Sequence, residues 1–189
     1  DLEVARESLD EPGREVAAAL ALRHVAAHLS MPLSIGLPRI MLGVLRNRGD
    51  FNRFAEPLKN AGLDFAYHNH DFEFTIRSGE QSLFDLLLAE RDPALVKIEL
   101  DLFWAVKAGE DPKALIRRLP GQIYAYHVKD MAADGAMTSV GNGVIDFADI
   151  FRLNDIAGVR HFYVENDQAP APYLPDITAS FAALSRLRA

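Results

Sequence analysis

Four short apolar runs in this chain each end in side chains able to hold a hard or borderline metal cation. They are Tyr67-His68-Asn69-His70, Glu99-Leu100-Asp101, Tyr126-His127-Val128-Lys129-Asp130 and Tyr163-Val164-Glu165. A His or carboxylate at the tip of each of several separate strands is how a chain without thiolates builds a divalent-cation site. This chain has no cysteine, which excludes disulfides, thiolate zinc sites and thiol nucleophiles.

Helix signals recur between these runs. Arg14 to Leu22 reads as a helix, and His24-Val25-Ala26 as a short strand leading toward His28 and Pro32. Asp50 is placed to cap a helix whose apolar face is Phe51, Phe54, Leu58 and Ala61, with Gly62 placed to end it. Strand Phe65-Ala66-Tyr67 follows; Ser82 can cap Leu83 to Ala89, and Val96 to Leu100 is β-rich. Asp111-Pro112 sets an N-cap before a proline at the first helical position, with Gly121 closing that helix. Strand Ile123 to Val128, a loop from Ala132 to Val144, a helix opened by Asp146, strand His161 to Val164 and a last helix from Asp176 to Leu187 complete the chain.

The pattern amounts to about five strand-then-helix units, with the polar residues always at the C-terminal end of the strand. Such alternation implies a parallel α/β sheet with right-handed crossovers, and a (β/α)8 TIM barrel gathers its site at those strand ends. A doubly wound open sheet would gather its ligand at one switch point beside a Gly-rich loop, whereas here successive strands contribute polar tips. A whole barrel takes roughly 250 residues, and this chain has 189. The expectation is a single partial TIM-barrel domain over 1–189, with three N-terminal units absent and the natural beginning upstream of Asp1.

Charge narrows the partners. With 27 acidic against 20 basic residues the net charge is −7, and no long Lys/Arg block offers a phosphate-backbone footprint, so no nucleic acid is expected. No apolar run reaches bilayer length, so no membrane partner is expected and the cytoplasm is the default location.

Side-chain alternation along a strand puts His68 with His70, Glu99 with Asp101, and Tyr163 with Glu165 on shared faces. It does not choose between His68 and His70. Lys129 shares a face with His127, and a lysine facing a barrel mouth is unfavourable without a partner, so the pair reads as a ligand plus a cation for substrate oxygens. Asp130 reads as a loop carboxylate or the acceptor that orients a ligating His. Asp101 has a plainer role open to it, capping the next turn. Trp104 offers a flat surface for the carbon face of a sugar or packs in the core; Glu73 contacts substrate or ends a turn. His24, His28 and His161 read as structural, and Gly141 and Gly143 as a tight loop.

Taken in order, the motifs Tyr67-His68-Asn69-His70-Asp71-Phe72-Glu73-Phe74, Glu99-Leu100-Asp101-Leu102-Phe103-Trp104 with Ala108-Gly109-Glu110-Asp111-Pro112, His127-Val128-Lys129-Asp130, Val140-Gly141-Asn142-Gly143-Val144-Ile145-Asp146-Phe147 and Val164-Glu165-Asn166-Asp167 resemble the xylose isomerase-like TIM-barrel superfamily. Within it they resemble the proteins called sugar phosphate isomerase/epimerase, over the fourth to eighth βα units. The resemblance implies one divalent metal ion (Mn, Mg, Co or Zn) held by His68, Asp101, His127 and Glu165. His68 is preferred to His70 because Asn69 after it resembles the Glu-Asn pair of related barrels. Many members carry Glu at that first position and use it as one of two bases in epimerisation; this chain has His.

The implied activity is a metal-dependent sugar or keto-sugar isomerase/epimerase working through an enediolate. Glu165 would be the base, Lys129 or His70 would balance charge, and Trp104, Glu73 and Asn69 would bind substrate. The alternatives are a lyase or dehydratase acting on a 3-keto-glycoside or polyol, and a non-catalytic carbohydrate-binding barrel fragment. An endonuclease of the abasic-site repair type is disfavoured by Trp104, where such barrels carry a His, and by the negative charge. The expected partner is a small-molecule sugar, with a homo-oligomer as the expected assembly.

Overall fold

The β-branched and aromatic runs form the strands, and helices follow them in the chain. The computed structural model describes residues 50–187; the helix expected over Arg14 to Leu22, the strand His24 to Ala26 and His28 lie outside the described residues. In chain order the elements are α1 (Asp50–Asn60), β1 (Phe65–His68), α2 (Phe72–Thr75), β2 (Arg77–Ser78), β3 (Gln81–Ser82), α3 (Leu83–Glu90), β4 (Val96–Asp101) and α4 (Leu102–Lys107). Then come α5 (Pro112–Arg118), β5 (Ile123–Val128), β6 (Asp130–Met131), β7 (Met137–Thr138), α6 (Phe147–Phe151), α7 (Asn154–Ala157), β8 (His161–Val164) and α8 (Leu174–Leu187). No helix among the described residues is long and apolar enough to cross a membrane.

The described residues fall into two compact units. In the described part of the first, 50–65 with 85–96, Asn52 clamps two stretches of chain: its Nδ2 donates to Glu90 O at 3.1 Å and its Oδ1 accepts from Asp92 N at 2.6 Å. Ala55 and Leu58 are the buried residues of α1, while Ala61 is exposed, so the apolar face is rotated slightly from the sequence expectation. Asp50 is already helical, and Gly62, at φ 76°, follows the end of α1.

The second unit, Ala66–Phe84 with Lys97–Ala189, carries the sheet in the order β1-β4-β5-β8. β4 pairs parallel with β5, and β5 with β8. This is the parallel, helix-alternating arrangement of part of a TIM barrel. Level residues share a face, so Leu100, Tyr126 and Phe162 form one row while Asp101, His127 and Tyr163 form another. The first row packs: Tyr126 is fully buried, stacks on Phe151 at 5.9 Å and meets Phe162 edge-on at 5.7 Å. The second row carries the chemistry.

Several short elements have no legible period in the sequence. α4 starts directly at the tip of β4, with Asp101 as its N-cap accepting from Trp104 N at 2.9 Å. Its run Leu102-Phe103-Trp104-Ala105-Val106 is apolar all round, so no amphipathic stripe announces a helix. α2 and the ribbons β2/β3 and β6/β7 are likewise too short for periodicity. The caps at Asp111 and Asp146 form as expected, accepting from Lys113 N and Asp149 N. α8 begins at Leu174, two residues before its expected start.

The segment after β5 is organised by Asp130, which is 1 % exposed. Its carboxylate accepts backbone N–H groups from Met131 (2.8 Å), Gly141 (2.9 Å), Gly143 (2.9 Å) and Ile145 (3.2 Å). Asp130 is therefore the loop carboxylate of the two roles open to it: its donors are loop amides, and His127 is not among them. The glycine at 143 is a matter of space, since a Cβ there would lie 2.2 Å from Asp130 Oδ1 and 2.4 Å from Met131 O. Hydrogen bonds to a charged acceptor are each worth about 1.5–3 kcal/mol where they are buried and less where water can replace them, so losing these four in Asp130→Ala is expected to destabilise the protein by about 3 kcal/mol, a fall of roughly 10 °C in Tm. Gly143→Ala is expected to act in the same direction by about 1–3 kcal/mol. Thermal unfolding within 1 °C or so of wild type for both variants would remove this role.

Candidate functional site

The strand tips of the second unit converge. His68 ends β1, Glu99 and Asp101 lie on one face of β4, His127 is next to last in β5, and Glu165 follows β8. His68 Nδ1 is 3.0 Å from Glu99 Oε1 and 3.0 Å from His127 Nδ1. His68 Nε2 is 3.2 Å from Asp101 Oδ2. The other edge of the His127 ring turns toward Glu165, with Nε2 2.8 Å from Oε2.

A buried lysine closes the cluster. Lys129 is 3 % exposed, and its Nζ lies 2.7 Å from Glu165 Oε2, 2.8 Å from Asp167 Oδ2 and 3.6 Å from Asp101 Oδ2. Burial opposes charge on this ammonium, yet bonds to Asp167 and Glu165 outweigh it and hold its pKa above the ordinary lysine value. Glu165 is driven well below the usual carboxylate range by the hydrogen bond to His127, against burial, with Lys129 adding to the effect. For His68, burial lowers the pKa but the bonds to Asp101 and Glu99 prevail, raising it to about 9.

Supporting interactions position these groups. Asn69, fully buried, braces the backbone of Asp101 from both sides: its Oδ1 accepts from Asp101 N at 3.0 Å and its Nδ2 donates to Asp101 O at 3.3 Å. Asp101 divides its carboxylate, one oxygen capping α4 and the other turned to His68 and Lys129. The His70 ring lies 5.6 Å from Trp104 and 5.7 Å from Phe72, the latter stacked. Burial, then the neighbouring His68, lowers its pKa to about 4, so it is neutral near pH 7. Glu73 is fully buried and does not line open space: Tyr67 Oη donates to one of its oxygens at 2.6 Å and His70 N to the other at 2.8 Å.

The structure thus gathers His68, Asp101, His127, Glu165 and Lys129, with His70 and Trp104 beside them. Asn69 and Glu73 stand behind the cluster as braces of Asp101 and of the His70 backbone. Glu99 and Asp167 join it. Period-two alternation, which puts Glu99 on the face of Asp101, is the signal for the first; Asp167 lies past the strand end, where no period reaches. His161 pairs instead with Tyr124 Oη at 3.2 Å, away from the cluster.

The donor set suits a divalent cation. Ligand atoms of His68, Glu99 and His127 lie within 4.8 Å of one another, a grouping of imidazole and carboxylate typical of such ions. His68 Nε2 and Asp101 Oδ2 are buried and pair at 3.2 Å without a well-aligned hydrogen bond among the described residues, an unfinished contact of the kind a bound ion would complete. Carboxylates also predominate, with Asp101, Glu165 and Asp167 around Lys129 and Glu99 beside His68 and His127.

Fold and site together define a class: part of a parallel α/β barrel with a His and carboxylate cluster at its strand ends. No family model matches the chain. It is 30% identical over 139 residues to an inosose dehydratase of Geobacillus thermodenitrificans (strain NG80-2), covering 64% of this chain and 46% of that protein. A sugar phosphate isomerase/epimerase from Parabacteroides distasonis ATCC 8503 superposes with a TM-score of 0.64 at 26% identity, covering 77% of this chain and 54% of the other. An IolI protein with a bound zinc atom shares the fold at 15% identity and a TM-score of 0.58, covering 78% and 57%. The chain spans about half the length of the curated relatives it matches. These likenesses show the barrel fold, and the motifs in order resemble the xylose isomerase-like TIM-barrel superfamily.

The buried Glu73 yields a pH prediction. Burial raises its carboxyl above the ordinary 4.5, against the hydrogen bonds from Tyr67 and His70 N. A folded-state pKa above the unfolded one means a stabilising contribution present below the unfolded value and lost as pH rises through the folded value. The stability of Glu73→Gln relative to wild type is therefore expected to climb between about pH 4 and pH 8, followed by urea unfolding. A flat or falling difference would contradict it.

Proposed function

We propose that the site removes a proton from carbon next to a carbonyl of a keto-sugar or keto-cyclitol with the help of a divalent cation, and that loss of water from that substrate is the outcome. The observation that carries the reading is the strand-end cluster of His68, Asp101, His127 and Glu165 around buried Lys129. His68, Asp101, His127 and Glu165 would hold the cation, with Glu99 as a further donor. When bound, it would supply Lewis-acid polarisation of a substrate carbonyl.

The chain's own residues account for the rest. Glu165, kept ionised by His127 and Lys129, is in the proton-accepting form at neutral pH. The Lys129 ammonium balances negative charge developing on a substrate oxygen. Trp104 and His70 form an aromatic wall for the carbon face of the ring.

Dehydration fits one further feature. A single carboxylate can take the C–H proton and return it to a departing hydroxyl on the same face, so that proton and hydroxyl leave together as water. Epimerisation by two bases needs a second carboxylate on the opposite face, and this chain has His68 where many members of the family it resembles carry Glu. The inosose dehydratase relative supports this order of preference. The sugar phosphate isomerase/epimerase likeness keeps isomerisation or epimerisation as the second reading, sharing the same first step.

Two measurements test it. Calorimetric titration with Mn²⁺ or Zn²⁺ is expected to show one site whose affinity falls by at least about tenfold in Asp101→Asn and in His127→Ala; unchanged stoichiometric binding in both would rule the site out. Incubation of the metal-loaded protein with an inosose in D₂O is expected to exchange the hydrogen next to the carbonyl and form a conjugated, UV-absorbing product. Exchange without that product would favour isomerisation. Absence of exchange with an inosose and with ketoses would overturn the reading.

A further inference from the structure

A cavity stands at the same end of the sheet, formed by the loops after β5 and β8. It measures about 330 Å³ and is lined by Met137, Thr138, Gln168 and Asp176, with Pro170, Pro172 and Pro175 among the apolar walls. That volume lies at the lower end of the roughly 300–1,000 Å³ typical of small-molecule sites. The residues of the segment after β8 alternate between two jobs. Glu165 and Asp167 hold Lys129, while Asn166 and Gln168 line the cavity.

The polar groups are held in place with valences to spare. Asp176 Oδ1 accepts from Ser139 Oγ at 2.5 Å and from Asn166 Nδ2 at 2.9 Å, which orients the carboxylate. Gln168 Oε1 accepts from Met137 N at 3.0 Å, so the amide is oriented too. Asp176 Oδ2, the Thr138 hydroxyl and Gln168 Nε2 make no hydrogen bond among the described residues.

The lining selects a ligand by exclusion. Among the described residues no Lys or Arg borders the cavity, and an acidic wall without a cation repels phosphate and carboxylate groups. Asp176 is the sole carboxylate among the lining residues, too few charged oxygens for a cation cage. What remains is a neutral molecule with hydroxyls to donate to Asp176 Oδ2 and to accept from Gln168 and Thr138, and an apolar face to lie on proline.

We propose that this cavity is a second binding site, specific for a neutral polyhydroxylated ligand of the size of one sugar or cyclitol ring, oriented by Asp176. It is separate from the strand-end cluster and does not depend on the function proposed for that cluster.

Methionine-methyl NMR tests it, because Met137 lines the cavity and Met131 does not. Titration of the full chain with myo-inositol and with D-glucose is expected to shift the Met137 methyl saturably, with a Kd of about 1 mM or tighter for at least one of them, while Met131 moves less. Inorganic phosphate is expected to leave Met137 in place. The response is expected to persist in His127→Ala, which disables the strand-end cluster, and to weaken at least about tenfold in Asp176→Asn and in Thr138→Val. Two conservative variants guard against loss of fold in either one. The proposal is overturned by a Met137 signal that neither polyol moves, by an equal response to phosphate, by full loss in a folded His127→Ala, or by wild-type affinity in both cavity variants.

Discussion

Between Ile98 and Glu99 the ladder joining β4 to β5 shifts: Ile98 is level with Ile123, but Glu99 is level with Ala125. Tyr124 is the extra residue, a bulge of the kind that re-aims side chains next to working sites. Without it Asp101 would stand level with Tyr126, and the carboxylate would have an aromatic ring for a neighbour in place of His127. With it, Asp101, His127 and Tyr163 form one row. The register is held from the opposite face, where Leu100 and Tyr126 are fully buried. A one-residue slip would exchange those faces, at about 1.5–3 kcal/mol for each large apolar side chain brought into water. Apolar packing on one side of the sheet thus sets the polar chemistry on the other.

That chemistry is electrostatically tense. Withdrawing an ammonium and several carboxylates from water is unfavourable, and close pairing offsets the loss only when every charged atom finds a partner. Lys129 does, through Glu165, Asp167 and Asp101. The histidine side is less complete. His68 and His127 approach through like ring nitrogens at 3.0 Å, while Asp101 Oδ2 and His68 Nε2 lack hydrogen bonds among the described residues. The cluster is therefore balanced where lysine supplies the charge and unfinished where two imidazoles meet carboxylates, which is where the cation is proposed.

Much of this is legible in the sequence, and the failures have physical causes. The strands at Phe65, Val96, Ile123 and His161 declare themselves by β-branched and aromatic runs, and Asp111 and Asp146 by cap chemistry. Simple alternation across β5 misleads: it assigns Ile123 and His127 to one face, and the bulge at Tyr124 separates them. α4 is hidden by uniform apolarity. Asp101 shows how two readings of one residue both describe it, since one oxygen caps α4 and the other enters the cluster. Period-two reasoning brings Glu99 to the right face but cannot show that its carboxylate reaches His68, because that depends on how β1 lies beside β4.

The loop after β5 runs from the strand that carries Lys129 to the wall of the cavity, and hydrogen bonds hold it at both ends. Asp130 follows Lys129 directly and gathers the amides of Gly141, Gly143 and Ile145. The same loop reaches α8, where Val140 N donates to Ser180 Oγ at 2.9 Å and Ser139 Oγ donates to Asp176. Gly141, at φ 90°, lies so close to α8 that a Cβ would come 2.7 Å from Ala183 Cβ. The two glycines thus serve different neighbours: Gly143 makes room for the Asp130 carboxylate, and Gly141 lets the loop lie against the helix. One loop thus meets the carboxylate that follows Lys129 and the helix that carries Asp176.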